Sequence, residues 1–454
     1  MADPHIQIIN HQPPPTPAQT PLLPPTQNNT NHRRRRPDQD TDLETALEGL
    51  ELFLTFLGFN QSSSLGFGLS WFVFVLIGVL LPVLILEFSN CTDCEMYQIK
   101  EFELDIIATQ ACLAAVSLGC LSHNLRKYGI KKFLFVDRSG GYVLNRFSRH
   151  YVQQFKDSLR LLVLWSLPCF ILKVIREIIR VVYAQQESWW LSAAILFGLI
   201  VSWCYVSTIS LTASIIFHLV CNLQVIHFDD YAKLLERESD VLLFIEEHMN
   251  LRYNLSKISH RFRIFLLLQF CVVTASQVIT LFQTTGYSGM ITIINGGDFA
   301  VSTVVQVVGI ILCLHAATKI SHRAQNLASI ASRWHALATC GSDRSNDGSQ
   351  MRGSNSSGNL EGTNPLNSLR ITYSESDLES ADYIAMPTNT QLVSHMASYQ
   401  KRQAFVMYLQ NNPGGITIFG WTVDRGLVNS IFFIQLSLVT FVLGKTIVFT
   451  SESK

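Results

Sequence analysis

Residues 426–448 read GLVNSIFFIQLSLVTFVLGKTIV. The run is long enough to cross a bilayer, whose apolar core of about 30 Å needs roughly 20 helical residues at 1.5 Å each. At helical spacing, Gly426, Ser430, Phe433, Ser437, Thr440 and Gly444 fall on one face, with Asn429 and Gln435 just beside it. A small and polar stripe on a membrane helix has two readings. It is a packing face, because small residues let backbones approach and hydroxyls bond across the contact. Or it is a pore wall, in which about four copies turn the stripe to water and Phe433 forms a constriction that closes by dewetting.

Working outward, the same kind of run recurs. Of 454 residues, 48% are hydrophobic and only 15% are charged, against about 25% charged in soluble proteins. The apolar residues come in blocks near Phe67 to Glu87, Leu104 to Leu121, Leu159 to Val182, Trp190 to Val220, Phe265 to Gln283 and Phe299 to Ala317, besides Gly426 to Val448. The expected fold is therefore an all-α membrane protein with seven transmembrane helices. Lys and Arg set its orientation. Residues 123–160 carry nine and 224–263 carry six, whereas 88–103 has one and 285–297 has none. Basic connections face the cytosol, which puts the N-terminus in the cytosol and the C-terminus on the extracellular side.

The organisation expected is a Pro-rich tail without order over 1–40, an amphipathic entry helix over 41–60, spans 1 to 6 with cytosolic helical extensions over 61–340, a Ser/Asn/Gly-rich cytosolic insertion over 341–392, and a cytosolic helix plus the last span over 393–454. Thr41 and Glu44 make a capping box, and Leu43, Leu47, Leu50, Phe53 and Leu57 follow on one face. Residues 229–263 contain no Gly or Pro and read as one helix running on into the cytosol. Its apolar row at Leu234, Leu242, Ile245 and Met249 is expected to pack on the extension of the sixth span.

The chemistry-bearing residues are few. No nucleophile elbow, H-E-x-x-H or Walker loop occurs, and the thirteen histidines are dispersed, so no enzyme, metal site or cofactor is expected. The balance of 34 basic and 34 acidic residues gives no field for nucleic acid. Cys91 and Cys94 stand alone in a polar loop beside a sequon at Asn90, and Ser374 and Ser376 precede acidic residues in the insertion. The third span is the exception: Lys173, Arg176, Glu177 and Arg180 lie on adjoining turns of its outer half. Charges at membrane depth face the protein interior or a wet cavity, so this face lines a vestibule or ligand pocket, unless the span ends near Leu172 and the helix continues in water.

Seven spans, a cytosolic N-terminus, a cytosolic helical bundle and a signature last span resemble the insect odorant and gustatory receptor superfamily. More closely, residues 42–450 outside the insertion resemble its plant members, a seven-transmembrane family of unknown function. The insect motif is Thr-Tyr, five apolar residues and Gln-Phe. Here Thr440 and Phe441 match the threonine and the aromatic, VLGKT follows, and Ile447 and Val448 replace the glutamine pair. A second register places Gln435 on the glutamine and loses the rest. Lys445 also departs, since a cation facing a pore axis disfavours cations. The resemblance implies a chemoreceptor-like ligand-gated cation channel in the plasma membrane. It would be a homotetramer with four copies of the last helix around the pore and a pocket for a small-molecule ligand among the outer halves of the others. The alternative is a non-conducting scaffold or a transporter with the same fold.

Overall fold

The structure is a computed structural model that describes residues 38–61, 63–88, 100–135, 141–183, 189–237, 240–286, 293–344 and 398–451. The expectations for the Pro-rich tail, the insertion, Asn90, the Cys91 and Cys94 pair, Ser374 and Ser376, and the Lys445 side chain lie outside the described residues.

The helices are α1 (Asp38–Phe56), α2 (Ser64–Val73, running on without a break through Phe74–Leu80 and Leu81–Phe88), α3 (Lys100–Phe133), α4 (Gly141–Tyr183), α5 (Trp189–Arg237), α6 (Val241–Gly286), α7 (Ile293–Arg344), α8 (Ser398–Asn411) and α9 (Arg425–Ser451). A two-stranded hairpin, β1 (Thr417–Ile418) and β2 (Trp421–Thr422), precedes α9. Six helices are long and apolar enough to cross a membrane, within Ser64–Glu87, Phe102–Phe133, Arg149–Val182, Trp189–Leu235, Val241–Gly286 and Val301–Thr339. The chain is an all-α, multi-pass membrane protein.

Polar contacts at two levels fix the alternating direction of the helices. At one end, which carries the basic connections, the Asn124 amide of α3 donates to the Arg261 carbonyl of α6 at 3.1 Å, and Tyr151 of α4 meets His227 of α5 at 2.6 Å. At the opposite end, Gln283 of α6 donates to Asp105 of α3. Early residues of α3 thus share a level with late residues of α6, and late residues of α3 share a level with early ones of α6.

The helix α5 is the axis of this arrangement and touches α2, α3, α4, α6 and α7. Its buried residues Ile209, Phe217, Val220, Leu223 and Leu235 run through the main core. Halfway along, three helices are joined by polar groups. Gln269 of α6 donates to Ser214 of α5 at 3.0 Å, and the Cys313 thiol of α7 donates to Gln269 at 3.5 Å. Gly309 permits the junction, since a Cβ there would lie 3.2 Å from both Gln269 Nε2 and Ser214 Oγ. Small residues with one interhelical amide are the usual means of bringing helices together without water.

In α1, Leu43, Leu47, Leu50 and Leu54 are buried in that core, as is Leu57 just beyond its end, while Leu52 and Phe56 are exposed. The turn into α2 is built on Gly58 at φ +84°, whose carbonyl accepts from the Ser70 hydroxyl at 2.7 Å. Ser63 then caps α2 by accepting from the Gly66 N–H at 3.0 Å. Within α2 the segment Phe74–Leu80 is wound as a π-helix, and the Leu81 N–H bonds back to the Leu76 carbonyl. Pro82 follows at once and cannot donate to Gly78, which favours the looser winding.

Residues 229–263 are not one helix. The structure ends α5 at Arg237 and starts α6 at Val241, where Asp240 accepts from the Leu242 N–H at 3.0 Å as a cap. The cap supplies the reversal that Gly or Pro was expected to mark. The buried row of α6 is accordingly Phe244, His248, Leu251 and Leu255. Phe244 meets Trp334 of α7 edge-to-face and Phe405 of α8 at a tilt, with centroid distances of 5.5 and 5.6 Å. Tyr231 donates to the Phe244 carbonyl at 2.8 Å, and His248 Nδ1 meets the Tyr408 hydroxyl at 3.3 Å. Burial raises the pKa of the Tyr408 phenol against the opposing pull of Arg252.

After α8, Pro413 and two glycines bring the chain against α6 and α7, where the Ser321 and Ser259 hydroxyls accept from the Ile416 and Thr417 N–H groups at 3.0 and 3.1 Å. Phe419 and Gly420 turn the hairpin with positive φ at both positions, the geometry that matches strand twist. Asp424 then caps α9, accepting from the Leu427 N–H at 2.8 Å.

Candidate functional site

Two places bring the sequence-selected residues together. The first is α9. Ser430, Phe433, Ser437, Thr440 and Phe441 are exposed, as is Gly426, and Gly444 is half-buried. The helix packs on α6 and α7 through its other side, where Leu427, Val428 and Ile431 are partly buried against the core. Gln435 is 2% exposed and donates to Thr274 of α6 at 3.4 Å. It therefore faces its own subunit, whereas Asn429 stays exposed. A Cβ at Gly444 would meet nothing within 4 Å. Within the subunit, then, the small residues of the stripe are not what lets α9 pack.

The second place is the charged turns of α4, which lie at the end opposite the basic connections. Lys173, Arg176, Glu177 and Arg180 are all buried and form one network with Glu103 of α3 and Asp298 of α7. Lys173 Nζ lies 2.7 Å from Glu177 and 2.6 Å from Asp298. Arg176 binds Glu103 at 2.5 Å, Glu177 at 2.8 Å and Asp298 at 2.9 Å. Arg180 lies 3.3 Å from Glu103 and 3.4 Å from Glu177. Three cations face three carboxylates, so the charges cancel and each desolvated group has opposite charge beside it. That condition is what makes a buried ion tolerable.

A cavity of about 40 Å³ runs beneath the network, bounded by Glu103, Lys173, Glu177, Arg180 and Asp298 and by apolar residues of α2 and α5. This is room for roughly three waters. Among the described residues, the Arg176 Nε has no hydrogen-bond partner. The arrangement fastens α3, α4 and α7 at one level, and a shift of any of them must exchange ion pairs. Among the described residues, no group of three His, Cys, Asp or Glu side chains is placed to hold a metal ion.

Sequence reasoning found the four α4 residues and missed Glu103 and Asp298. The signal was charge arithmetic: three cations against one acid leave two charges uncompensated, and two carboxylates at the matching ends of other apolar runs supply them.

A family model matches residues 45–434, described as a protein of unknown function, DUF3537. The chain belongs to the DUF3537 family. The match takes in the whole network and α9 as far as Ile434. No curated protein and no solved structure matches the chain.

Proposed function

We propose that this DUF3537 protein is a chemoreceptor-like ligand-gated cation channel in the plasma membrane. It is a homotetramer of seven-span subunits, with the N-terminus in the cytosol and the C-terminus outside, and four copies of α9 surround the pore. The observation that carries this reading is the orientation of α9. A helix of 27 residues turns Ser430, Phe433, Ser437 and Thr440 away from its own subunit and buries the opposite face. At 1.5 Å per residue it is long enough to be the seventh span. A stripe of hydroxyls interrupted by one aromatic ring suits a water-filled path with a hydrophobic gate. The network of Lys173, Arg176, Glu177 and Arg180 supplies the coupling: a ligand that enters the adjoining cavity must rearrange ion pairs that bind three helices.

A second reading, a non-conducting scaffold or a transporter, is favoured by one contact. The Ser430 hydroxyl donates to the Gly426 carbonyl at 3.0 Å, so that side chain is satisfied without water and can equally face another helix. Planar-bilayer recording of purified protein, wild type against Phe433→Ala, separates the two. Cation currents that rise in the variant support the channel. Silence in both, from protein shown to be tetrameric, rejects it.

A further inference from the structure

Toward the end of the bundle that carries the basic connections, three basic side chains meet. His315 and Lys319 stand four residues apart on one face of α7, and both are exposed. The Lys319 amine donates to the Asn222 amide oxygen of α5 at 3.0 Å, and the Asn222 amide nitrogen lies 3.2 Å from the His218 ring one turn away. The charged neighbours that act on His218 are Lys319 and His315. Among the described residues Lys319 makes no ion pair with an acid. Asp229, the next acid along α5, is paired with Arg323 at 3.3 Å.

The depth of this cluster follows from α7. Lys319 comes 21 residues after Asp298 of the ion-pair network, which is about 31 Å along the helix. That is about the thickness of an apolar bilayer core, so the cluster lies where lipid headgroups begin. From it a groove of about 110 Å³ leads toward the bilayer centre between α7 and α9. His315 and Asn429 line its near end, and Val307, Ile311, Val428 and Phe432 form its walls. Gln435 closes the far end and is turned to Thr274. From His315 back to Val307 the groove covers about 12 Å of helix. Ile311 and Phe432 are exposed by 37% and 41%, so it is open along its side.

We propose that Lys319, His315 and His218 hold the phosphate of an anionic glycerophospholipid whose acyl chain lies in the groove between α7 and α9. Each feature removes another occupant. A soluble phosphate would use the cluster and leave the groove empty. A zwitterionic lipid would bring its own cation against Lys319, whereas an anionic headgroup supplies the charge that Asn222 does not. Basic side chains at this depth are attracted by anionic lipid, and here the attraction is joined to an apolar trough for the chain. The lipid would touch α7 and α9 at once and so brace α9 on its own subunit. Under the orientation proposed above it comes from the cytosolic leaflet, but binding depends neither on that orientation nor on conduction.

The test is photolabelling of the full chain in phosphatidylcholine nanodiscs with two probes that carry the same diazirine on one acyl chain, a phosphatidylglycerol and a phosphatidylcholine. The phosphatidylglycerol probe should label the peptides spanning 307–315 and 428–435 about fivefold more than its partner, the ratio expected for one cation facing an anionic headgroup. Unlabelled phosphatidylglycerol should displace it saturably. Lys319→Gln with His315→Gln should remove the excess. Arg323→Gln, which deletes a cation of the same helix that is already paired, should leave it. Val307→Phe, which fills the groove, should lower labelling of both peptides and serves as well if the double variant does not fold by size exclusion. Equal labelling by the two probes in the wild type overturns the proposal, as does an excess spread over every membrane-facing peptide or one that survives in the folded double variant. Displacement by glycerol 3-phosphate added to the buffer would assign the cluster to a soluble phosphate and also overturn it. No current is recorded, so failure here leaves the channel reading where it stands.

Discussion

Arg176 Nη2 lies 2.5 Å from Glu103 Oε1, a pair separated by 73 residues and buried on both sides. Each partner also touches a further charge, because Arg176 reaches Glu177 and Asp298 while Glu103 reaches Arg180. The pair is therefore the knot of the network rather than one of several equivalent bridges. Removing the guanidinium takes one of three cations from Glu103, Glu177 and Asp298 and leaves one net negative charge buried among them. Arg176→Ala should destabilise the protein by about 3–5 kcal/mol, the cost of breaking a buried pair on one side. Removing Arg180 and Glu103 together, as Arg180→Gln with Glu103→Gln, should cost less than the sum of the two single changes. Thermal unfolding in detergent of the four proteins checks this, and additive losses would mean that the charges do not act as a unit.

Gly58 offers a cleaner test of packing, because geometry and conformation oppose a side chain together. Its φ is +84°, and a Cβ would stand 2.5 Å from Ser70 Oγ, which already donates to the Gly58 carbonyl. Gly58→Ala should cost at least about 1 kcal/mol, since αL conformation and a clash add. Gly68, one helix later, has open space where its Cβ would go. There Gly68→Ala should stabilise by roughly 0.5–1 kcal/mol through helix entropy. Opposite signs from the same substitution ten residues apart are the expected outcome, read as shifts in unfolding midpoint.

The reversal between α5 and α6 rests on a cap rather than on a breaker. Asp240 accepts from the Leu242 N–H at 3.0 Å, and its carbonyl accepts from the Phe244 N–H. Asp240→Ala should cost about 1 kcal/mol and Asp240→Asn a few tenths, because the amide keeps the acceptor. Hydrogen exchange at residues 241–245 localises the loss. Uniform loosening of α6 would instead indicate that the bundle around Phe244 was damaged.

These particulars show which parts of the molecule were legible in the sequence. Apolar blocks are written in composition, so the membrane helices were readable from Phe67 onward. The end of α5 was not, because a single Asp cap inside an acidic stretch leaves no gap in the apolar pattern and Gly or Pro is absent. The charged turns of α4 could be read as interior, since charges at membrane depth need partners. Which partners could not, because Glu103 and Asp298 belong to other helices and only the folded chain brings them to one level. Gln435 illustrates the same limit at finer scale. It lies two positions from Phe433, and a rotation of that size moves it from the exposed stripe to a bond with Thr274.

That rotation also makes the pore reading testable residue by residue. Native Cys112 and Cys271 are exposed and would first be replaced by serine. Cysteines placed at Ser430, Phe433, Ser437 and Thr440 should then react with a charged, membrane-impermeant thiosulfonate, because a tetrameric pore wets that face. Cysteines at Leu427, Ile431 and Leu438, which are partly buried on the opposite side, should stay unmodified. In recordings, modification at Ser437 should reduce current more than modification at Ser430 if the path narrows toward Phe433 and beyond. Protection of both faces in intact tetramers would assign the stripe to contact between subunits, where small residues serve close approach, and would leave the channel reading without its main support.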